Sequence, residues 1–512
     1  MALDYKTYEE AKKRFTWSER WEVFDKSREN LNIAYECIDR HPAEKTAIRL
    51  KFADGQREEY TFGELSQWTS QFANMLESRG INPGDRVGIV LEPSLPYYVS
   101  FYGVLKRGAV AVPCYFLLGY EGLSYRLKDS EAKMVIISKE REDRMPSDLN
   151  VEVLFAEDIL DLIEKEETNY ETITSADTPS VIQYSSGTTG LPKPVLYKHG
   201  AVSVTAVYVK FWLGLQDGDR YMCTSSPAWG HGIWYGAVGP LIFGNGIGAY
   251  SGRFDPEVFI QALEEFKITV VSAIPRVYSM MINCGKLDPL KLKLRRLTYS
   301  GAAIDDAVQE YLQENFGFLA SSNYGNTEVG PIVIDFAFDD YKGRIGSCGK
   351  AMFGTTVVSV DENGDELSPR QTGELSVLRK GKMNSVGDSG YVDEQGYVWS
   401  LGRSDDVIKS SGFRIGPFEI ESVLANHPAV EEAAVVGSPD KDRGEIVKAF
   451  IVSNSQPTEE LTKEIQEFVK KRLSMHEYPK EIEYVDELPR TPDGKLKRKV
   501  LKKREQELKG LN

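Results

Sequence analysis

TFGELSQWTSQFANMLESRGINPGDRVGIVL, residues 61–91, decides the fold class. Thr61 and Glu64 stand at the spacing of a capping box, and Leu65, Trp68, Phe72, Met75 and Leu76 then recur every three or four residues until Gly80. That period puts them on one face of a helix. The turn Asn82-Pro83-Gly84-Asp85 follows, and after it the apolar run from Val87 to Leu91, which has strand length. Further units of the same kind end in Ala109 to Val112 and Met134 to Ile137. Strands separated by helix-length segments make βαβ units, so the predicted class is α/β, with mainly parallel sheets in a large body of several subdomains over 1–403. Ligands of such sheets sit on the loops at the carboxyl ends of strands. Near residue 400 the pattern changes. A short helix (419–426), strands (430–437 and 447–452), a charged amphipathic helix (459–473) and a last strand (482–485) predict a small α+β domain over 404–512.

Composition excludes several classes. The chain has 512 residues, 41% of them hydrophobic, and 77 acidic against 62 basic residues give a net charge of -15. Neutralising phosphates along a nucleic acid needs a net basic face, so a general nucleic-acid binder is not expected. The longest apolar stretch, 108–120, is too short to span a bilayer and contains Pro113, so no integral membrane association is expected. The first 21 residues mix charges of both signs without an apolar run, unlike a secretory signal. Five scattered cysteines (Cys37, Cys114, Cys223, Cys284, Cys348) predict reduced thiols in a cytoplasmic protein, and five dispersed histidines make a poor zinc site. The basic tail, 495–509, reads as a solvated helix face.

Chemistry concentrates in Tyr184-Ser185-Ser186-Gly187-Thr188-Thr189-Gly190-Leu191-Pro192-Lys193, which follows the apolar pair Val181-Ile182. Glycines let backbone N–H groups turn toward an anion, hydroxyls add donors, and Lys193 adds a point charge. The stretch suits phosphate, although its spacing is not that of a Walker A loop. Four more motifs follow in order: Tyr324-Gly325-Asn326-Thr327-Glu328, Gly387-Asp388, Gly402-Arg403-Ser404-Asp405-Asp406 and Pro489-Arg490-Thr491-Pro492-Asp493-Gly494-Lys495.

In this order and spacing the five motifs resemble those of the adenylate-forming enzymes, the superfamily of acyl- and aryl-CoA synthetases, peptide-synthetase adenylation domains and luciferases. The resemblance covers essentially the whole chain. The stretch 31–42 looks most like the acetyl-CoA and medium-chain acyl-CoA synthetase branch. The implied reaction joins a carboxylate to the α-phosphate of ATP, releases pyrophosphate, and passes the acyl group to CoA. Because two anions meet in the first step, cationic and N–H stabilisation should dominate catalysis.

Residue roles follow from the resemblance. Ser185, Ser186, Gly187, Thr188, Thr189 and Lys193 would hold the β- and γ-phosphates, Thr327 would touch the α-phosphate, and Glu328 would hold Mg²⁺. Tyr324 would offer its ring to adenine, with Asn323 beside it and Gly301, Ala302 and Ala303 on the other side. Asp388 would accept from the ribose hydroxyls, next to Arg403. Lys495 would bridge carboxylate and α-phosphate during adenylation, and its motif resembles those at which relatives are silenced by a lysine acyltransferase. In the family the C-terminal domain is a mobile lid that rotates between half-reactions. Asp405 matches its hinge, and Gly412 and Arg414 would line the pantetheine tunnel.

For the acid, the resemblance points to Trp229, His231, Gly232, Trp234, Ile274 and Gly325, with His231 gating the carboxylate. Acetyl-CoA synthetases carry tryptophan where this chain has Gly325, so the expectation is an open pocket floor and a medium-chain, branched or aromatic acid. Pro194 after the loop lysine, Ser185, Asn326 and Val386 depart from the family pattern and put fine tuning in doubt. The alternatives are a ligase that loads a carrier protein or an amine, and a non-catalytic nucleotide-binding relative.

Overall fold

A computed structural model of the chain describes residues 3–509 apart from 148, 185–191, 327–328, 380, 404–405, 407, 411–412, 441–443, 474–477 and 492–494. Two compact units emerge: Met1–Ser300 with Phe336–Tyr341, and Gly301–Asp335 with Lys342–Asn512. No helix among the described residues is long and apolar enough to cross a membrane.

In the first unit the helix predicted from the opening stretch runs Phe62–Ser78. Thr61 Oγ1 accepts from Glu64 N at 3.2 Å while Glu64 Oε2 accepts from Thr61 N at 2.8 Å, so two end groups of the helix satisfy each other. Leu65, Phe72, Met75 and Leu76 are buried. The helix leads into strand Arg86–Val90, at the centre of a six-stranded sheet. Its order is Glu152–Phe155, Ala132–Ile137, Arg86–Val90, Val110–Pro113, Pro179–Tyr184, Pro194–Lys198. All neighbours are parallel except the last pair, a hairpin. A second parallel run orders Arg296–Ser300, Val270–Ala273, Tyr221–Cys223, Ile247–Ser251 and Thr46–Phe52, with Arg57–Thr61 antiparallel at its edge. Near-continuous Val, Ile and Ala in these strands are what sheets covered on both faces require.

In the second unit the sheet chemistry changes. Ser321–Asn326, Gly330–Ile334 and Lys350–Ala351 pair antiparallel, as do Thr356–Val360, Gly373–Arg379, Lys382–Val392 and Val398–Arg403. The shift expected near residue 400 therefore begins some eighty residues earlier as a change of sheet type, and the 403/404 boundary falls inside the second unit. Beyond it come helix Pro417–Ala425, strands Val430–Asp440 and Gly444–Ser453, helix Glu459–Arg472 and strand Glu481–Tyr484, close to the predicted elements. The basic tail forms helix Arg498–Leu508. It is not simply a solvated face. Arg498 pairs with Glu421, Lys502 with Asp406 and Arg504 with Glu483, while Glu505, fully buried, meets Lys448 Nζ at 2.7 Å and Ser438 Oγ at 2.8 Å.

Two histidines of the first unit give a pH signature. His199 is wholly buried, its Nδ1 accepts from Ile33 N at 3.0 Å, and burial holds its pKa down at about 3. Burial, with Arg40 nearby, holds His41 at about 4. The unfolded chain protonates both rings near pH 6.5. Between these values the unfolded state binds more protons, so stability is full above about pH 6.5 and falls on acidification, by up to about 1.4 kcal/mol per pH unit for each ring. Urea unfolding between pH 7 and 4.5 should follow this slope, and His199→Gln should flatten it by about one proton.

Candidate active site

The two stems of the phosphate-loop motif are neighbours in a ladder. Tyr184 pairs with Pro194 across the hairpin, which brings Lys193, exposed, back beside the strand that enters the loop. Helix Tyr120–Asp129 fixes both stems. The Tyr184 hydroxyl donates to Asp129 Oδ2 at 2.7 Å, and the Tyr125 hydroxyl donates to the Pro192 carbonyl at 3.0 Å. Burial and the Asp129 carboxylate push the Tyr184 phenol far up, so it remains a donor. Ser185, Ser186, Gly187, Thr188 and Thr189 lie outside the described residues, as do Thr327, Glu328, Asp405 and Gly412; the backbone of Arg414 sits in strand Phe413–Ile415.

Beside the hairpin, His231 opens the π-helical segment His231–Val238. Its Nδ1 lies 2.6 Å from Ser225 Oγ and its Nε2 2.8 Å from Ser272 Oγ, which accepts from Thr298 Oγ1 at 2.7 Å. Both ring nitrogens are thus engaged, and the ring is held in place, with Trp212 and Tyr235 at 6.0 Å between centroids. Trp229 packs against Tyr115 at 5.6 Å, Trp234 against Tyr197 at 5.0 Å, and Ile274 caps helix Pro275–Asn283. A Cβ at Gly232 would stand 2.0 Å from the Ser226 carbonyl oxygen, so this glycine permits a close backbone approach.

In the second unit three of the residues expected at the nucleotide come together. The Tyr324 hydroxyl donates to Asp388 Oδ2 at 2.6 Å, and Arg403 Nη1 stands 3.5 Å from Asp388 Oδ1, since Asp388 and Arg403 are cross-strand partners. Burial, then the Asp388 charge, pushes the Tyr324 phenol well up. Asn323, buried, shares the Tyr324 strand. Asn326 donates from Nδ2 to the Val386 carbonyl at 2.8 Å and accepts at Oδ1 from Val329 N at 2.9 Å. Lys495 is tied to Thr491: Thr491 N donates to its carbonyl at 2.7 Å, and Thr491 Oγ1 accepts from its N at 2.9 Å. Its Cε comes within 3.7 Å of where a Gly301 Cβ would stand, beside exposed Ala302 and Ala303. The two ends of this set, 301 and 495, therefore meet.

One expectation needs correction. Gly325 does not open a floor in the direction its side chain would take: a Cβ there would stand 2.1 Å from the Gly330 carbonyl oxygen and 2.8 Å from Pro331 Cα. The strand pair Ser321–Asn326 and Gly330–Ile334, irregular between Tyr324 and Gly325, fills that space. Gly325→Ala should therefore lower activity on every acid tested, instead of shifting chain-length preference; kcat/KM on acetate and octanoate measured side by side checks this. The sequence reading, which placed Ser272 in the pocket stretch 272–275, missed Tyr125, Asp129, Gln183, Ser225 and Thr298, none of which lies in a recognisable motif.

The chain is similar to known proteins over most of its length. The profile of the AMP-binding enzymes matches residues 35–385, and that of the AMP-binding enzyme C-terminal domain matches residues 419–495. The chain is 34% identical to an acetyl-coenzyme A synthetase of Bacillus subtilis (strain 168), over 97% of this chain and 95% of that one. It is 34% identical to a mitochondrial acyl-coenzyme A synthetase of Rattus norvegicus, over 93% and 91%. Among solved structures, an anthranilate CoA ligase in complex with anthranoyl-AMP superposes with a TM-score of 0.85 at 26% identity, covering 97% of this chain and 100% of that one.

Proposed function

The chain belongs to the AMP-binding enzymes as an AMP-forming acid–CoA ligase, and from that premise we propose that it activates a medium-chain, branched or aromatic carboxylic acid as an acyl-adenylate and transfers it to CoA. The observation that carries the reading is the cluster of Tyr324, Asp388 and Arg403, in the same unit as the approach of Lys495 to Gly301. Asp388 uses one oxygen for Tyr324 and faces Arg403 with the other, and a carboxylate's remaining lone pairs can accept from two ribose hydroxyls. Lys495, exposed, can bring a positive charge to the carboxylate and α-phosphate as they approach. Lys193 and the 185–191 loop would hold the outer phosphates. Glu328 would hold Mg²⁺, which supplies charge neutralisation on the phosphates when bound. The fixed stems at Tyr125 and Tyr184 would keep that loop in register for in-line attack.

We assign residues 404–512 as the lid, with Asp405 as hinge and Gly412 and Arg414 toward pantetheine. On either side of position 405, Arg403 O accepts from Asp406 N at 2.9 Å. Asp405→Pro should slow transfer to CoA more than adenylation, and equal loss in both half-reactions would defeat the assignment. The exposure of Lys495 also suits modification by an acyltransferase, which intact-mass measurement of cell-purified protein checks. The decisive experiment measures AMP and pyrophosphate across acids from acetate to decanoate plus benzoate and cyclohexanecarboxylate, with and without CoA. Acid-dependent AMP that requires CoA for turnover is expected; ADP as the product, or indifference to CoA, would refute the proposal.

A further inference from the structure

Gln183 Oε1 and Trp234 Nε1 are both buried and have no hydrogen-bond partner among the described residues, on residues only 8% and 7% exposed. They face one another's elements. In the hairpin ladder Gln183 pairs with Val195 and Val181 with Tyr197, so Gln183 and Tyr197 project from the same sheet face. The helical segment His231–Val238 packs on that face: the Trp234 ring lies 5.0 Å from that of Tyr197, and a Cβ at the preceding Gly230 would stand 3.3 Å from Gln183 Oε1. The two lone groups therefore lie in the same layer between hairpin and helix. Gln183 immediately precedes Tyr184, where the phosphate-loop motif begins.

Buried polar atoms without partners are disfavoured, and two in one layer at the carboxyl end of a strand mark a place where a ligand completes the bonding. An amide oxygen only accepts and an indole N–H only donates. Among common substituents of a carboxylic acid, a carbonyl or ether accepts without donating, an ammonium donates without accepting, and a hydroxyl does both. We propose that the acid activated by this protein carries a hydroxyl group, which donates to Gln183 Oε1 and accepts from Trp234 Nε1. This deepens the proposed ligase reading and rests on it together with the sequence expectation that Trp229 and Trp234 line the acid pocket. Gln183 and Trp234 then set specificity, through a site built to bond a substrate hydroxyl that discriminates strongly against the analogue lacking it.

The test uses the full-length chain with ATP, Mg²⁺ and CoA, and reads AMP formation on matched sets: benzoate with its three hydroxy and three methoxy derivatives, and octanoate with its hydroxy and methoxy derivatives. At least one hydroxy acid should exceed both its parent and its methoxy counterpart in kcat/KM by about tenfold or more. Gln183→Met and Trp234→Phe should each reduce that hydroxy-to-parent ratio about tenfold. Trp234→Phe keeps the ring and serves if Gln183→Met fails to fold. Parents turned over as well as their hydroxy derivatives, methoxy acids matching hydroxy acids, or ratios unchanged in the variants would each overturn the inference while leaving the ligase reading intact. No AMP from any acid would overturn both.

Discussion

Lys495→Ala is expected to lower acyl-adenylate formation by about two to three orders of magnitude, the loss typical of one donor aimed at developing charge. Transfer from chemically supplied adenylate to CoA should survive, because no anion then has to approach another. Pyrophosphate exchange measures the first step and thioester formation from preformed adenylate the second. The structural basis is local. Thr491 ties both the N–H and the carbonyl of Lys495, and Lys497 N donates to the Pro489 carbonyl at 2.8 Å, so the backbone of Lys495 is held while its side chain reaches toward Gly301. Near-normal exchange in the variant would remove Lys495 from the mechanism.

The second large effect concerns what holds the helix that follows. Arg498 begins the last helix and meets Glu421 of helix Pro417–Ala425, with Nε donating to Oε1 at 3.2 Å and Nη2 contacting Oε2. The same Oε1 accepts from Val435 N at 2.7 Å. Burial pushes the Glu421 carboxyl upward while Arg498 opposes it, and their side chains are 11% and 21% exposed. Arg498→Met leaves that carboxylate buried with one amide partner, which should cost about 3–5 kcal/mol. The change is read as a lower urea midpoint for the second unit. Replacing both residues, Glu421→Met with Arg498→Met, should recover most of the loss, since a buried pair exchanged for apolar side chains is close to neutral. A double variant as unstable as the single one would show that charge burial is not the cause.

Legibility from sequence tracked the range of each interaction. The helix after Thr61 was readable because its cap, period and glycine stop lie within twenty residues. The pairing of Asp388 with Arg403 and the approach of Lys495 to Gly301 were foreshadowed only through motif order, since nothing local connects residues so far apart. Tyr125 and Asp129 carry no signature, because their hydroxyl and carboxylate acquire meaning only when a distant strand arrives. Gly325 was misjudged for a related reason. Which way a strand residue's side chain points depends on antiparallel register, and the partner strand, starting at Gly330, occupies the space that a comparison of residue sizes leaves empty.

Strand Pro194–Lys198 is the last in its sheet and keeps Leu196 54% exposed. An uncovered outer strand with an apolar tip invites another molecule to add its own backbone there. Pro194 offers no N–H to such a newcomer, and Lys193 and Lys198 flank it with like charges. The proline that departs from the family pattern thus makes this edge a poorer template for strand addition. Restoring glycine at 194 should make the chain more prone to aggregate on warming.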